Sequence, residues 1–243
     1  MPISSYTSEM ITAPTRLPDG ERIYAVGDVH GCLDLLEELH RLIVLDLAAR
    51  PVSMPTIIHL GDYIDRGPDS AAVLERLLHP PASLMGVRMV NLRGNHEAML
   101  LAALDGDDYD EEIWLGNGGT AALASWKALS SNWRSAIPAE HIELLRGLPH
   151  QHEQEGYLFV HAGIDPDLAL GDQNQADLLW IRERFLHFDG ELSHIVVHGH
   201  TPEADIPVVR KHRIGVDTGA VFGGPLSCVV LEKQLMHFIA VQA

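Results

Sequence analysis

Cysteine is nearly absent from this chain of 243 residues, which contains only Cys32 and Cys228. So few cysteines argue against a disulfide framework and are compatible with a reducing cytoplasm, where we expect the protein to reside. Long apolar runs are lacking as well, because no segment reaches the roughly 18 uninterrupted apolar residues of a transmembrane helix. Residues 1–20 lack the basic start and apolar run of a signal peptide, and we interpret them as a flexible leader.

Positive charge is also scarce, with 17 lysines and arginines against 34 acidic residues and a net charge of −17. A surface this acidic repels nucleic-acid backbones and anionic membranes, so we expect neither a nucleic-acid polymer nor a membrane as partner. An acidic enzyme that acts on phosphates needs a local cationic centre, which bound metal ions can supply. The length suits one domain with a sizeable core, which we place at residues 21–243.

Short apolar runs rich in β-branched residues are the most regular feature of the chain. Each ends abruptly in glycine and metal-capable side chains, which is typical of a buried strand followed by a loop. These runs cover residues 22–26, 56–60, 87–92, 157–160, 194–197 and 213–216. Helical patterns are found at residues 33–49, 69–78, 96–104, 118–129 and 176–187. The alternation predicts an α/β fold, and an apparent hairpin formed by residues 226–231 and 234–241 predicts mixed sheets.

Polar side chains that could bind metals follow these predicted strands. They are Asp28, His30, Asp62, Asn95, His161 and His200. Each of these histidines alone is more often structural, but loops at the carboxyl ends of strands build active sites in α/β sheets. A mixture of oxygen and nitrogen ligands suits Mn, Fe or Zn rather than Ca. The set therefore predicts a site for two metal ions, in which the two carboxylate oxygens of Asp62 can bridge them.

Five motifs resemble those of the phosphoprotein phosphatase family of calcineurin-like metallophosphoesterases, in the family's order. They are Gly27-Asp28-Val29-His30-Gly31, Gly61-Asp62-Tyr63-Ile64-Asp65-Arg66-Gly67, Gly94-Asn95-His96-Glu97, His161-Ala162-Gly163 and Gly199-His200-Thr201. The resemblance spans roughly residues 22–225. Residues 180–184 and 217–221 are similar to the bacterial and phage branch of the family, which includes phage lambda phosphatase.

The resemblance implies two mixed β-sheets sandwiched between helices, and it distributes the ligands between two divalent ions. One ion would be held by Asp28, His30 and Asp62. The other would be held by Asp62, Asn95, His161 and His200. Mn²⁺ suits the oxygen-rich mixture best, and Fe with Zn suits it too.

The expected reaction is attack on phosphorus by a water activated between the two cations. Arg66 and Arg182 can each present a planar fork of donors to the phosphoryl oxygens, in keeping with their roles in the family. Arg184 lies two residues from Arg182, and the motif favours Arg182. His96 is expected to protonate the leaving oxygen as general acid, with Asp65 holding its tautomer. An alternative is that Asp65 and Arg66 only cap the helix that follows.

Three functions compete at this point. The first is a serine/threonine protein phosphatase, with dual specificity as a variant. The second is a dinucleoside polyphosphate hydrolase of the symmetrical diadenosine tetraphosphatase type, a class that often departs from Asp-Arg-Gly and Asn-His-Glu. The third is a metal-binding regulatory protein without catalysis. Both tripeptides are intact here, at residues 65–67 and 95–97, which favours the protein phosphatase.

The region 105–120 is the part of the chain that the motifs explain least. Six carboxylates lie among residues 105–112, which is most simply a solvated loop. Asn117-Gly118-Gly119 before a helix can offer backbone N–H groups to a phosphate, and that alternative stays open. Our hypothesis is that the whole region forms part of a cap that tunes substrate choice.

Overall fold

The computed structural model describes residues 3–203 and 206–243, and twelve strands are found within these ranges. In chain order they are β1 (Ser4–Thr7), β2 (Ile11–Thr12), β3 (Glu21–Val26), β4 (Met54–His59), β5 (Arg88–Asn91), β6 (Gln151–Gln154), β7 (Tyr157–Val160), β8 (Ile195–His198), β9 (Val208–Val209), β10 (Arg213–Gly215), β11 (Leu226–Glu232) and β12 (Leu235–Gln242). All six runs predicted to be strands are present, and each end lies within two residues of its predicted position.

Eight α-helices are found in the same described ranges. They are α1 (Leu33–Ala49), α2 (Ser70–Leu78), α3 (Asn95–Asp105), α4 (Asp108–Trp114), α5 (Thr120–Ser125), α6 (Ala139–Gly147), α7 (Gln175–Trp180) and α8 (Glu183–Leu186). Helix α1 ends immediately before Arg50 and Pro51, because proline has no N–H to donate to the helix. The predicted helix at 176–187 is instead two helices, α7 and α8, with Ile181 and Arg182 in non-helical conformations between them.

The strands form two mixed sheets. The first has the order β1-β12-β11-β3-β4-β5, with β2 also paired to β12, and its β3, β4 and β5 are parallel. The second has the order β6-β7-β8-β10-β9, with β7, β8 and β10 parallel. The predicted C-terminal hairpin is confirmed, since every residue of β11 pairs antiparallel with β12.

Three buried apolar clusters show how these layers stack. One joins side chains of both sheets, such as Ile23 of β3 and Phe159 of β7, so the sheets pack face to face. Another joins Tyr24 of β3 to Leu36 of α1, and so covers the outer face of the first sheet. The third packs helices α7 and α8 on the second sheet, with Phe185 among its members. The expected fold, two mixed sheets between layers of helix, is therefore confirmed.

The N-terminal segment differs from the flexible leader predicted for residues 1–20. Met1 and Pro2 lie outside the described residues, but Ser4–Thr7 is the edge strand of the first sheet, paired to β12. Leu17 is fully buried in the cluster between the sheets, and its N–H donates to the carbonyl of Lys233. The leader prediction is corrected for these residues. Composition failed to reveal the strand because β1 is exposed on its whole length and carries no apolar alternation.

The acidic run also differs from the predicted solvated loop. Residues 108–114 form α4, and the side chain of Asp107 accepts hydrogen bonds from the N–H groups of Tyr109 and Asp110. This is N-capping, and acidic residues in a first helical turn are favoured by the helix dipole. The carboxylates therefore start a helix here.

Two predicted absences concern membranes and disulfides. Within the described ranges, no helix combines the length and the apolar character needed to cross a bilayer. Cys32 and Cys228 are both free thiols.

Candidate active site

The metal-capable residues lie on loops that leave the carboxyl ends of strands in both sheets. Asp28 and His30 follow β3, and Asp62 follows β4. His161 directly follows β7, and His200 follows β8. Because the two sheets pack face to face, these loops meet at one edge of the sandwich. Asn95 reaches the same place as the first residue of α3.

Asp62 lies at the centre of this constellation. Its Oδ2 is 3.4 Å from Nε2 of His30, and its Oδ1 is 3.4 Å from Nε2 of His161. Two groups of buried side chains, His30-Asp62-His96 and Asp62-His161-His200, each place their potential ligand atoms within 4.8 Å of one another. The one carboxylate shared by both groups has a different oxygen facing each. This is the arrangement that a carboxylate bridging two cations requires.

Two of the histidines are oriented by backbone carbonyls. Nδ1 of His30 is 2.8 Å from the carbonyl of Ile64, and Nδ1 of His161 is 2.9 Å from that of Leu60. In these tautomers Nδ1–H donates, so the Nε2 lone pair points into the site. Backbone carbonyls commonly orient metal-binding histidines in this way. Burial lowers the pKa of His30 to about 3 and also lowers that of His161, so both rings are neutral at neutral pH.

Asn95 joins the two histidines of the second group. Its Oδ1 is 2.8 Å from Nε2 of His161 and 2.9 Å from Nδ1 of His200. Burial lowers the pKa of His200 to about 2, so this ring is neutral as well. Three atoms with lone pairs therefore converge on one point, which fits ligands of a common divalent ion.

The buried negative charge of the site also fits a metal centre. Burial, followed by the charges of Asp217 and Asp62, raises the pKa of Asp28 well above its ordinary value. Asp217 is itself buried, and burial raises its pKa to about 6. Carboxylates packed this closely stay ionised only when cations compensate them. Asp28 accepts the backbone N–H of His200 at 3.1 Å and lies outside both ligand groups, so its assignment stays a prediction.

Left-handed backbone conformations are concentrated at these loops. The non-glycine residues with positive φ include His30 (44°), Asp62 (53°), Asp65 (72°), Arg66 (65°) and His200 (66°). Such conformations cost on the order of 1–3 kcal/mol each and persist only where the surroundings impose them. Gly67 shows how close the loops come, since a Cβ there would lie 1.9 Å from the carbonyl oxygen of His30.

Glu97 fixes one of these loops from below. Its buried carboxylate accepts the N–H groups of Asp62, Tyr63 and Gly94 at 2.8–2.9 Å. Burial, with a contribution from Asp62, raises the pKa of Glu97 to about 8, and the backbone donors act in the opposite direction. The side chain of Glu97 therefore stabilises the backbone of the loop that carries Asp62.

Asp65 and His96 form a buried pair, and His96 is also the third member of the first ligand group. Nδ1 of His96 is 2.7 Å from Oδ2 of Asp65. Within residues 3–203 and 206–243, Nε2 of His96 has no hydrogen-bond partner. The alternative that Asp65 caps a helix does not hold, because α2 begins at Ser70 and the Asp65 carboxylate is turned towards His96.

The arginines fall into different environments. Nη1 of Arg66 donates to Nε2 of His30 at 2.7 Å. The positive charge of Arg182 contributes to lowering the pKa of His161 and of His200. Arg184 instead forms ion pairs of 2.7 Å with carboxylates outside the site, those of Asp165 and Asp167. Arg93 donates to the carbonyls of Leu145 and Arg146.

Sequence reasoning missed three aromatic residues near the site. The indole Nε1 of Trp114 lies 3.0 Å from both carboxylate oxygens of Asp65. Trp180 is 42% exposed, with its ring 6.2 Å from that of His200, and Phe222 is 70% exposed beneath the guanidinium of Arg66. Trp180 belongs to a segment that resembles the bacterial branch, which is a signal that could have drawn attention to it.

The chain is similar in sequence and in fold to known phosphoesterases. Residues 21–225 match the calcineurin-like phosphoesterase family. The chain is 32% identical to serine/threonine-protein phosphatase 1 of Salmonella typhimurium, over 86% of this chain and 92% of that protein. It is 28% identical to an asymmetrical bis(5'-nucleosyl)-tetraphosphatase of Oceanobacillus iheyensis, over 85% and 87% of the two chains. A crystal structure of a protein classed provisionally as a diadenosine tetraphosphatase superposes with a TM-score of 0.64 and 22% identity, covering 93% of this chain and 96% of that one.

Proposed function

The chain belongs to the calcineurin-like phosphoesterase family and is a metal-dependent phosphoric ester hydrolase, and we propose that it dephosphorylates phosphoserine and phosphothreonine side chains of proteins. The observation that carries this choice is the buried Asp65–His96 pair, whose free Nε2 faces the site. A serine or threonine alkoxide is a poor leaving group and gains from a proton donor in the transition state. The leaving group of a dinucleoside polyphosphate is itself a phosphate, which departs without such help.

The ligands of the metals are proposed as the resemblance distributes them. Asp28, His30 and Asp62 would hold one ion, and Asp62, Asn95, His161 and His200 the other. The converging lone pairs of Asn95, His161 and His200 support the second set. For the first set, the support is the nearness of His30 to Asp62 and the buried carboxyl of Asp28, and Mn²⁺ is the proposed metal. When bound, such ions activate water as the nucleophile and neutralise charge on the phosphoryl group.

The protein's own side chains would then have separate tasks. The guanidinium groups of Arg66 and Arg182 bind and orient the phosphoryl oxygens, because planar donor forks match that geometry. His96 donates a proton from Nε2 to the leaving oxygen, and Asp65 accepts the hydrogen bond from Nδ1–H, which stabilises the protonated ring. The positive charges of the metal ions and of the two guanidinium groups allow a phosphate to bind next to the buried carboxylates.

The choice of Arg182 over Arg184 leads to a prediction. We expect Arg182→Ala to lower kcat/KM for a phosphoserine peptide by about 10- to 100-fold, because a hydrogen bond to a charged group is worth about 1.5–3 kcal/mol. Arg184→Ala is the matched control. It removes the same type of side chain two residues along the chain, where the arginine pairs with carboxylates outside the site. We expect it to change kcat/KM by less than about threefold. Steady-state kinetics of both proteins decide, and a larger loss from Arg184→Ala would reverse the assignment.

Hydrolysis of dinucleoside polyphosphates is the second candidate. The relative from Oceanobacillus iheyensis carries that name, although as the asymmetrical rather than the symmetrical type considered from the sequence. The exposed rings of Trp180 and Phe222, next to His200 and Arg66, also favour a nucleotide substrate, because aromatic rings stack on nucleobases. Both observations concern substrate binding, whereas the Asp65–His96 pair concerns the chemical step.

A direct comparison of substrates tests the proposed function. We expect the Mn²⁺-loaded protein to show a higher kcat/KM for a phosphoserine peptide than for diadenosine tetraphosphate, with His96→Asn as the control for contaminating phosphatases. A large preference for the dinucleotide would make the protein a nucleotide hydrolase. The intact tripeptides at residues 65–67 and 95–97 would then have no value as evidence for a protein phosphatase.

A further inference from the structure

Trp114 occupies a position that the proposed mechanism does not yet use. It ends α4, its side chain is fully buried, and its ring lies at a centroid distance of 5.0 Å from that of Trp133. Its one polar atom, the indole Nε1, lies 3.0 Å from Oδ1 and 3.0 Å from Oδ2 of Asp65. A buried tryptophan normally directs its N–H at a partner, and here the partner is the carboxylate that orients His96.

Asp65 has three polar neighbours that together fix its position. The indole of Trp114 donates to its carboxylate, Nδ1 of His96 lies 2.7 Å from its Oδ2, and its backbone N–H donates to Oγ of Ser70 at 3.0 Å. Burial raises the pKa of the Asp65 carboxyl well above its ordinary value, and the hydrogen bond from Trp114 acts against that rise. Because an indole can only donate, it favours the carboxylate that accepts from His96.

The turn that follows Trp114 also contacts Arg66, the residue after Asp65. The carbonyl of Gly118, at a φ of 107°, accepts the backbone N–H of Arg66 at 3.1 Å. A Cβ at Gly118 would lie 2.8 Å from Cγ and 3.0 Å from N of Arg66, so only glycine allows this approach. A Cβ at Gly119 would lie 2.5 Å from the ring of Trp114. These glycines, considered from sequence as phosphate donors, therefore pack against Arg66 and Trp114.

We propose that Trp114 is a positioning residue that acts through Asp65 to orient His96 for proton donation, while Gly118 holds Arg66 in its left-handed conformation. The turn 114–119 thus supports the catalytic loop from behind, which differs from the substrate-selecting cap hypothesised from sequence. The inference rests on the proposed role of His96 as general acid. A positioning role for Trp114 differs from a purely structural one, because its loss slows only those reactions whose leaving group needs a proton.

Two substrates with different leaving groups give the required measurement. We expect Trp114→Phe in the Mn²⁺-loaded protein to lower kcat for a phosphoserine peptide by about tenfold, which is the smaller end of the usual effect of such supporting contacts. With p-nitrophenyl phosphate, whose phenolate leaves unaided, we expect kcat to change by less than about threefold. KM for both substrates is expected to stay near the wild-type value, because Arg66 keeps its contact with Gly118.

Trp133→Phe is the matched control. It removes the same N–H from the partner ring of the tryptophan pair, but that N–H donates to Glu111 at 2.9 Å rather than to Asp65. We expect this protein to keep the wild-type ratio of the two kcat values. Equal losses with both substrates in Trp114→Phe, or the same change of ratio in Trp133→Phe, would overturn the positioning role.

Two further proteins keep the test decisive. If Trp114→Phe does not fold, Trp114→benzothienylalanine replaces the indole N–H by sulfur with the ring size kept, and the same kcat ratio is measured. His96→Asn separates this inference from the function on which it rests. A changed ratio in His96→Asn with an unchanged ratio in the Trp114 variants would overturn only the positioning role. An unchanged ratio in His96→Asn would overturn the general acid and the inference together.

Discussion

Asp62→Asn is expected to have the largest effect of any single substitution in this protein. We expect bound Mn²⁺ at saturation to fall from two ions to at most one per chain, and kcat/KM to fall by at least about 10³-fold, since metal stabilisation of the transition state is worth several kcal/mol. The reason is that one oxygen of Asp62 faces each ligand group, towards His30 and towards His161. An amide of the same shape offers an oxygen to one group and an N–H₂ to the other, and it brings no negative charge.

Metal content after dialysis, measured by plasma mass spectrometry beside steady-state kinetics, checks this prediction. Asp217→Asn is the matched control, because it makes the same chemical change in the same buried cluster. The Asp217 carboxylate accepts the N–H of Gly219 and belongs to neither ligand group. We expect this protein to keep the wild-type metal stoichiometry. Full loading of Asp62→Asn would refute the proposed bridge and with it the division of ligands between two ions.

The position of the site could be predicted from sequence because it depends on the simplest rule of this fold. Each strand that leads into the site ends where an apolar run meets glycine or a metal-capable side chain, and the ligand follows within a few residues, as Asp62 follows β4. Since the ends of parallel strands share one edge, listing these positions was enough to bring distant residues such as Asp62 and His161 together. The structure places their side chains 3.4 Å apart, although 99 residues separate them along the chain.

Two of the elements that the sequence did not predict have no hydrophobic period. Strand β1 is exposed on every residue and is defined only by its pairing with β12, 232 or more residues later. Helix α4 carries mostly carboxylates, and its start depends on a cap at Asp107 that a composition-based reading treats as one more acidic residue. The helix depends on a local hydrogen-bonded cap and the strand on long-range pairing. Neither is accompanied by the apolar periodicity from which elements are predicted.

The contacts that refine the site were likewise outside the reach of sequence. Trp114 lies 49 residues from Asp65, and no strand end or motif spacing connects them. Its relation to Asp65 depends on the path of α4 and the turn that follows, which the sequence represented as a loop. The left-handed conformations of Asp65 and Arg66 were also hidden, because a strained residue is chosen for its chemistry rather than for its turn propensity.

His96→Asn is the second substitution with a large expected effect, and it acts on the chemical step alone. We expect kcat for a phosphoserine peptide to fall by about 10²- to 10⁴-fold, the usual contribution of a positioned general acid. Metal content is expected to stay at the wild-type level, because we assign His96 to proton donation rather than to metal binding, although it belongs to the first ligand group. Its Nε2 is 3.9 Å from Oδ2 of Asp62 and 4.6 Å separates the centroids of the His96 and His30 rings. Kinetics and metal analysis of the same preparation separate these two effects.

His141→Asn provides the control for His96→Asn, because His141 is another buried histidine paired with a carboxylate. Its Nε2 is 3.0 Å from Oε1 of Glu75, a contact between α6 and α2, and neither residue belongs to a ligand group. We expect this substitution to lower Tm and to leave kcat near the wild-type value. Asp65→Asn tests the pair itself: if Asp65 acts only through His96, adding it to His96→Asn should cause little further loss, since residues that act as a unit are not additive. Unchanged turnover in His96→Asn would mean that another group protonates the leaving oxygen, and loss of metal from it would make His96 a ligand.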